Sequence, residues 1–175
     1  MSLIFVVTGA SGVGKTALVR GLEARQLPDV RCHYFDSVGV PTVERMTAEF
    51  GSAEEWQRVT TRGWIARLAE DRDRGHVAVL DGQVRPSEVR AAFARSEVSR
   101  GEILLVECAH DVREARLRAE RNQPELATAD MRAWAAYLRG QADALHLPIL
   151  DTTKLTVEQG VEELVVRIRE WAAGG

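Results

Sequence analysis

The residues best suited to chemistry stand near the start of the chain, in Gly9-Ala10-Ser11-Gly12-Val13-Gly14-Lys15-Thr16. The spacing is glycine, any four residues, glycine, lysine, hydroxyl. This is the Walker A pattern, which holds the phosphates of a nucleoside triphosphate. Each residue type has a physical reason. Glycines let the backbone curl with its N–H groups pointing inward and no side chain in the way. A helix that begins at the lysine turns its N-terminus toward the anion. Lys15 reaches the outer phosphates as a mobile point charge, and the Thr16 hydroxyl is a ligand for Mg²⁺. Lys15 is one of only two lysines in the chain, the other being Lys154.

Phosphate binding alone names no reaction. The guanine-reading Asn-Lys-x-Asp of a regulatory GTPase is missing. The acidic pair of a mechanical ATPase is reduced to the single Asp81, and no ATP-binding-cassette signature is present. Two lone acids remain, Asp36 after the second apolar run and Asp81 after the third. Asp36 is a candidate to take the proton of an acceptor hydroxyl or to position Mg²⁺ through water. Asp81 is a candidate to orient Mg²⁺ water or to bond an acceptor hydroxyl, with Gly82 letting a substrate approach the backbone. Either acid also fits an ordinary turn or helix cap. Arg58 and Arg62 lie one helical turn apart and form a candidate clamp for an anionic acceptor. Their bland reading is a solvated surface. His33, His76, His110 and His146 lack metal-ligand spacing. Of the four tryptophans, Trp56 and Trp64 are the two to watch, because their helical region would flank an acceptor pocket.

The elements that must position these residues follow from five short apolar runs alternating with helical patterns. The runs are Leu3–Val7, Val30–Phe35, His76–Leu80, Glu102–Cys108 and Pro148–Leu150. Helices are predicted over Lys15–Arg25, about Thr42–Asp73 with a break near Gly51, and Pro86–Ser96. Three more are predicted over Asp111–Arg121, Pro124–Ala144 and Thr156–Ala172. Thr156 with Gln159 reads as a capping box. Short apolar runs between helices indicate strands buried on both faces of a parallel, doubly wound α/β sheet. Ligands in such sheets sit beyond the carboxyl ends of the strands, where Thr8–Thr16, Asp36 and Asp81–Arg85 fall.

At this point a resemblance is visible to the small P-loop kinases that include shikimate, gluconate and adenylate kinases. Tyr34-Phe35-Asp36-Ser37 followed by helical Trp56-Gln57-Arg58 resembles the shikimate-kinase layout. Asp81-Gly82-Gln83-Val84-Arg85 resembles the Asp-Gly-Phe-Pro-Arg element of adenylate kinases. Arg116 to Leu126 resembles the arginine-bearing lid, and Ile149-Leu150-Asp151-Thr152-Thr153 resembles the loop that borders the adenine ring. The chain departs from these patterns at Val38, Gln83, Val84 and Gln123. The resemblance implies a three-layer P-loop fold with a five-stranded parallel sheet in the order 2-3-1-4-5. It implies one domain over residues 1–175, with an acceptor region at about 37–73 and a lid at about 116–128. It adds Arg116, Arg118, Thr152 and Thr153 as ATP-binding candidates and Arg121 as a catalytic lid candidate. Gln83 and Arg85 become acceptor-side candidates.

The wider composition agrees. There are 23 basic and 26 acidic residues, a net charge of −3, which provides no basic field for nucleic acid or an anionic membrane. No apolar run reaches 18 residues and no cleavable leader is evident, so a cytoplasmic protein is expected. Cys32 and Cys108 read as reduced core thiols. A monomer or homodimer is expected. The sequence thus predicts an enzyme using ATP and Mg²⁺ to phosphorylate a hydroxyl of a small-molecule metabolite. A nucleoside or nucleotide kinase is the nearest alternative. A nucleotide-dependent switch or binding module without acceptor chemistry is the more distant one.

Overall fold

The computed structural model describes residues 3–70, 75–120 and 122–174. Alternation along the first strand sets the layering. β1 (Leu3–Thr8) sends Ile4 and Val6 into one apolar cluster and Phe5 and Val7 into another. All four are sealed from solvent, as the period of two requires of a strand covered on both faces. β3 (Val77–Asp81) does the same, with Ala78 and Leu80 opposite Val77 and Val79. β2 (Val30–Tyr34), β4 (Arg100–Glu107) and β5 (Ile149–Asp151) complete a sheet in the order β2-β3-β1-β4-β5. Every pairing is parallel. The expected sheet order is the observed one.

Two helices cover one face, α1 (Lys15–Ala24) and α7 (Val157–Ala173). Leu18, Val19 and Leu22 meet Val161, Leu164 and Ile168 there. The predicted capping box is present: the Thr156 hydroxyl accepts from the Gln159 N–H, and the Gln159 side chain accepts from the Thr156 N–H at 2.9 Å. The other face is covered by α3 (Ala53–Glu70), α4 (Pro86–Arg95) and α6 (Ala129–Ala144), through Trp64, Ile65, Val89 and Leu138.

Several helix boundaries differ from expectation for identifiable reasons. The long helical region divides into α2 (Val43–Phe50) and α3, because Gly51 takes the left-handed φ of 87° that ends a helix. Its expected end, Asp73, lies outside the described residues. The predicted helix from Asp111 becomes α5 (His110–Ala115) followed by a π-helical turn over Arg116–Glu120. That turn lets two adjacent residues, Arg116 and Leu117, both reach the glycine loop. The predicted helix from Pro124 opens with a separate 3-10 turn, because Thr128 caps α6 by accepting from the Met131 N–H at 3.2 Å. Cys32 and Cys108 are free and only half-buried.

The register brings the strand ends level. Val7 and Tyr34 both stand opposite Asp81. The Thr8 hydroxyl donates to the Val84 carbonyl at 2.7 Å and accepts from the Val84 N–H at 3.2 Å, with both residues buried. This pair of hydrogen bonds between side chain and backbone ties the exit of β3 to the root of the glycine loop. Among the described residues no helix is long and apolar enough to cross a membrane.

Candidate active site

The loop from Gly9 to Gly14 leaves β1 and enters α1. Glycine is required at Gly9 by space: a Cβ there would lie 2.3 Å from the Val106 carbonyl oxygen, against the neighbouring strand. Gly12 is required by conformation as well, with φ at 85° and a would-be Cβ 2.8 Å from Leu117. α1 begins without a side-chain cap and without an acid in its first turn. Its first N–H groups and the positive end of its dipole therefore face the loop, a ready anion site. Lys15 is buried at its mouth, only 8% exposed.

Asp81 stands beside these groups at the end of β3. It is 5% exposed, and its carboxylate accepts a hydrogen bond from Thr16 and is attracted by Lys15. Burial still dominates. It holds the carboxyl above its usual range, against the lowering pull of Lys15, Thr16 and Arg20, while repulsion from Asp36 adds to the rise. One oxygen, Oδ1, is buried with no hydrogen-bond partner. A buried carboxylate oxygen without a donor, beside a threonine hydroxyl, is an oxygen pair suited to a hard divalent cation. No cluster of three or more acidic, His or Cys side chains able to cage a metal occurs among the described residues. The pair therefore suits an ion that takes its remaining ligands from phosphate and water.

A cleft of about 820 Å³ opens from this point. Ser11, Lys15, Thr16, Asp36, Asp81, Gly82 and Gln83 line it, all named from sequence. Asp36 sits in a 3-10 turn over Phe35–Val38 and is solvent-exposed. Gly82 packs so closely on Phe35 that a Cβ would come within 2.8 Å of that side chain. Trp56, Gln57, Arg20, Val40 and Leu126 line the cleft as well. Val40, Trp56 and Gln57 fall in the expected acceptor region and Leu126 in the expected lid, while Arg20 lies outside both. Gln57 is identifiable only in three dimensions, where its amide donates to the Gln83 carbonyl at 2.8 Å.

The arginines divide. Arg116 is brought to the loop: it donates to the Val13 carbonyl at 3.2 Å, to the Thr152 hydroxyl at 3.0 Å and to the Thr152 carbonyl at 2.9 Å. It borders two smaller grooves. One runs past Gly12, Gly14 and Lys15. The other, of about 250 Å³, lies between Val13, Leu18, Leu155 and Val157 and has the apolar walls a flat base needs. Thr152 is buried, and its hydroxyl donates to the Val13 carbonyl at 2.7 Å. Thr153 instead closes the turn after β5, accepting from the Ala109 N–H at 2.8 Å and bonding Asp151. Arg118 is exposed, 3.7 Å from Glu114, and lines none of these grooves. Arg121 lies outside the described residues. Arg58 pairs with Glu55 on its own helix and Arg62 lies 3.6 Å from Glu88. Neither lines the cleft. Arg85 is held behind it, donating to Gln57 Oε1 at 2.5 Å with its guanidinium 4.9 Å over the Trp134 ring. Trp64 is likewise structural, its indole N–H donating to the Phe35 carbonyl at 3.2 Å.

Solved structures share this fold along nearly the whole chain. A gluconokinase from Sinorhizobium meliloti 1021 superposes with a TM-score of 0.64 at 15% identity, covering 99% of this chain and 95% of its own. A sugar kinase from Janibacter sp. HTCC2649 gives 0.66 at 17% identity over 99% and 95%. A shikimate kinase from Acinetobacter baumannii, in complex with shikimate, gives 0.62 at 16% over 97% and 94%. No family model matches the sequence and no curated protein matches it. The likeness is one of fold, at 15–17% identity.

Proposed function

We propose that the chain is an ATP-dependent phosphotransferase that moves the γ-phosphoryl group to a hydroxyl of a small metabolite. The observation that carries this reading is the continuity of Lys15, Thr16 and Asp81 with a cleft of about 820 Å³ that holds a second, exposed carboxylate, Asp36. A switch or motor needs no such acceptor-sized space beside the phosphate site.

In this mechanism the loop N–H groups and Lys15 hold the outer phosphates. Thr16 and Asp81 would hold Mg²⁺, which when bound neutralises phosphate charge during transfer. Asp36 accepts the acceptor's proton. The hydroxyl oxygen forms a bond to the γ-phosphorus as the bond from that phosphorus to the β–γ bridging oxygen breaks, and ADP leaves. Arg116, tied to Val13 and Thr152, fixes the loop against the groove proposed for the base. The chain works as one domain, with residues 37–73 forming the acceptor side and 116–128 acting as a lid. Arg118 and Arg121 belong to that lid.

Incubating the chain with Mg·ATP and a mixed metabolite pool tests this. A phosphorylated product is expected from wild type. It should be lost with Lys15→Ala and fall by about 10²–10⁴-fold with Asp36→Asn, the usual range for a missing general base. Product formation unchanged in both variants would overturn the assignment.

A further inference from the structure

Much of the cleft's lining is uncharged, including Trp56 and Gln57 from α3, Gln83 after β3, Val40 and Leu126. The described cations that line the cleft are Lys15 and Arg20, both on α1. Arg20 also borders the groove beside Gly12 and Gly14, so it stands at the phosphate end. The same cleft holds two carboxylates, Asp36 and Asp81.

The arginines expected to read an acidic acceptor do not line the cleft. Arg58 and Arg62 face Glu55 and Glu88. Arg85 is fixed by Gln57 and stacked on Trp134. What remains for the acceptor is amide chemistry. Gln83 Oε1 accepts from the Ser11 hydroxyl at 3.0 Å, which leaves its amide nitrogen for a ligand. Gln57 spends one N–H on the Gln83 carbonyl and receives Arg85 on its oxygen, which leaves a second N–H and a second lone pair. Both side chains are held by these bonds and so are preorganised.

Resting on the phosphotransferase reading, we infer that the acceptor is an uncharged hydroxylated molecule, read by the side-chain amides of Gln57 and Gln83 against the apolar edge of Trp56. A carboxylate or phosphate ester beside these amides would meet Asp36 and Asp81 in the same cleft, and the one guanidinium among its described lining residues, Arg20, stands with Lys15 at the phosphate end. A site with no partner for a charged group rejects it, because the group's hydration is not replaced.

The test uses the full chain with Mg·ATP and matched acceptors: glucose, gluconate and glucose 6-phosphate; adenosine and AMP; myo-inositol and its monophosphate. Phosphorylation of at least one neutral member is expected, with kcat/KM about 100-fold or more above its acidic counterpart. Raising KCl from about 50 to 500 mM should leave the acceptor KM unchanged, since only a charged ligand is screened. Gln57→Leu should raise that KM about tenfold with the KM for ATP unmoved. A preference for the acidic members, or a KM that climbs with salt, would overturn the inference and leave the phosphotransferase reading standing. Bound ATP with no acceptor phosphorylated at all would sink both.

Discussion

Replacing Asp81 by asparagine separates what this residue does for folding from what it does for chemistry. The carboxylate is buried, one of its oxygens has no hydrogen bond, and its pKa is raised chiefly by that burial even with Lys15 and Thr16 beside it. The raised pKa means that ionised Asp81 is, on balance, a cost to the folded state. The native chain binds its proton more tightly than the unfolded chain, so this contribution to stability is full below the unfolded value, near 3.8. It is lost as pH climbs through the raised native value. The asparagine amide carries no charge at any pH. The amide keeps the side chain's shape and both polar positions but sheds the buried charge, a gain of about 1 kcal/mol, small beside the several kcal/mol that burying an ion costs because Lys15 and Thr16 already offset much of it. For a chain of 175 residues that is about 2–4 °C in Tm. Asp81→Asn should therefore melt about 2–4 °C above wild type at neutral pH and level with it near pH 3.5. Its Mg²⁺-dependent turnover should fall about 100-fold or more, or about 2.7 kcal/mol at 1.36 kcal/mol per decade. Calorimetry across pH and a coupled ADP assay read the two effects. A variant that melts lower than wild type at neutral pH, or that keeps full turnover, would refute the reasoning.

Other residues make sharp contrasts. Gly9→Ala should abolish nucleotide binding in a fluorescent-ATP titration, because its Cβ would meet backbone 2.3 Å away that has no rotamer by which to yield. Arg116→Ala removes three hydrogen bonds that tie Val13 to Thr152. It should raise the KM for ATP about tenfold, whereas exposed Arg118→Ala should stay within twofold. Arg85→Met should lower kcat/KM for the acceptor by misplacing Gln57, with the KM for ATP unchanged. Arg58→Ala and Arg62→Ala should leave both parameters within about threefold.

The fold was legible because its signals are local. Ile4 to Val7 alternate between two cores, and a chain that buries both faces of a strand must cover both with helices. The glycine loop was legible for a similar reason: Gly9, Gly12 and Gly14 are demanded by close approach and by positive φ, and such constraints leave residue types behind. Asp81 was legible from its place at a strand end. The acceptor wall was not. Arg58, Arg62 and Arg85 looked available because sequence shows a charge without its partner, and Glu55, Glu88 and Trp134 take them out of the cleft. Gln57 was the reverse case beside Gln83, which the sequence did name. Glutamine carries no pattern of its own, and only the bonds among Ser11, Gln83, Gln57 and Arg85 reveal that the two amides are held toward one space. The boundary at Arg116 was hidden because a π turn has no distinct periodicity over five residues.

The central claim is that the γ-phosphoryl group goes to an acceptor hydroxyl and not to water. ³¹P NMR of the full chain with Mg·ATP and a pool of sugars, cyclitols and nucleosides measures this directly. A phosphomonoester resonance growing in step with ADP is expected, absent with Lys15→Ala. Inorganic phosphate as the sole new signal, at the same rate with and without the pool, would contradict it.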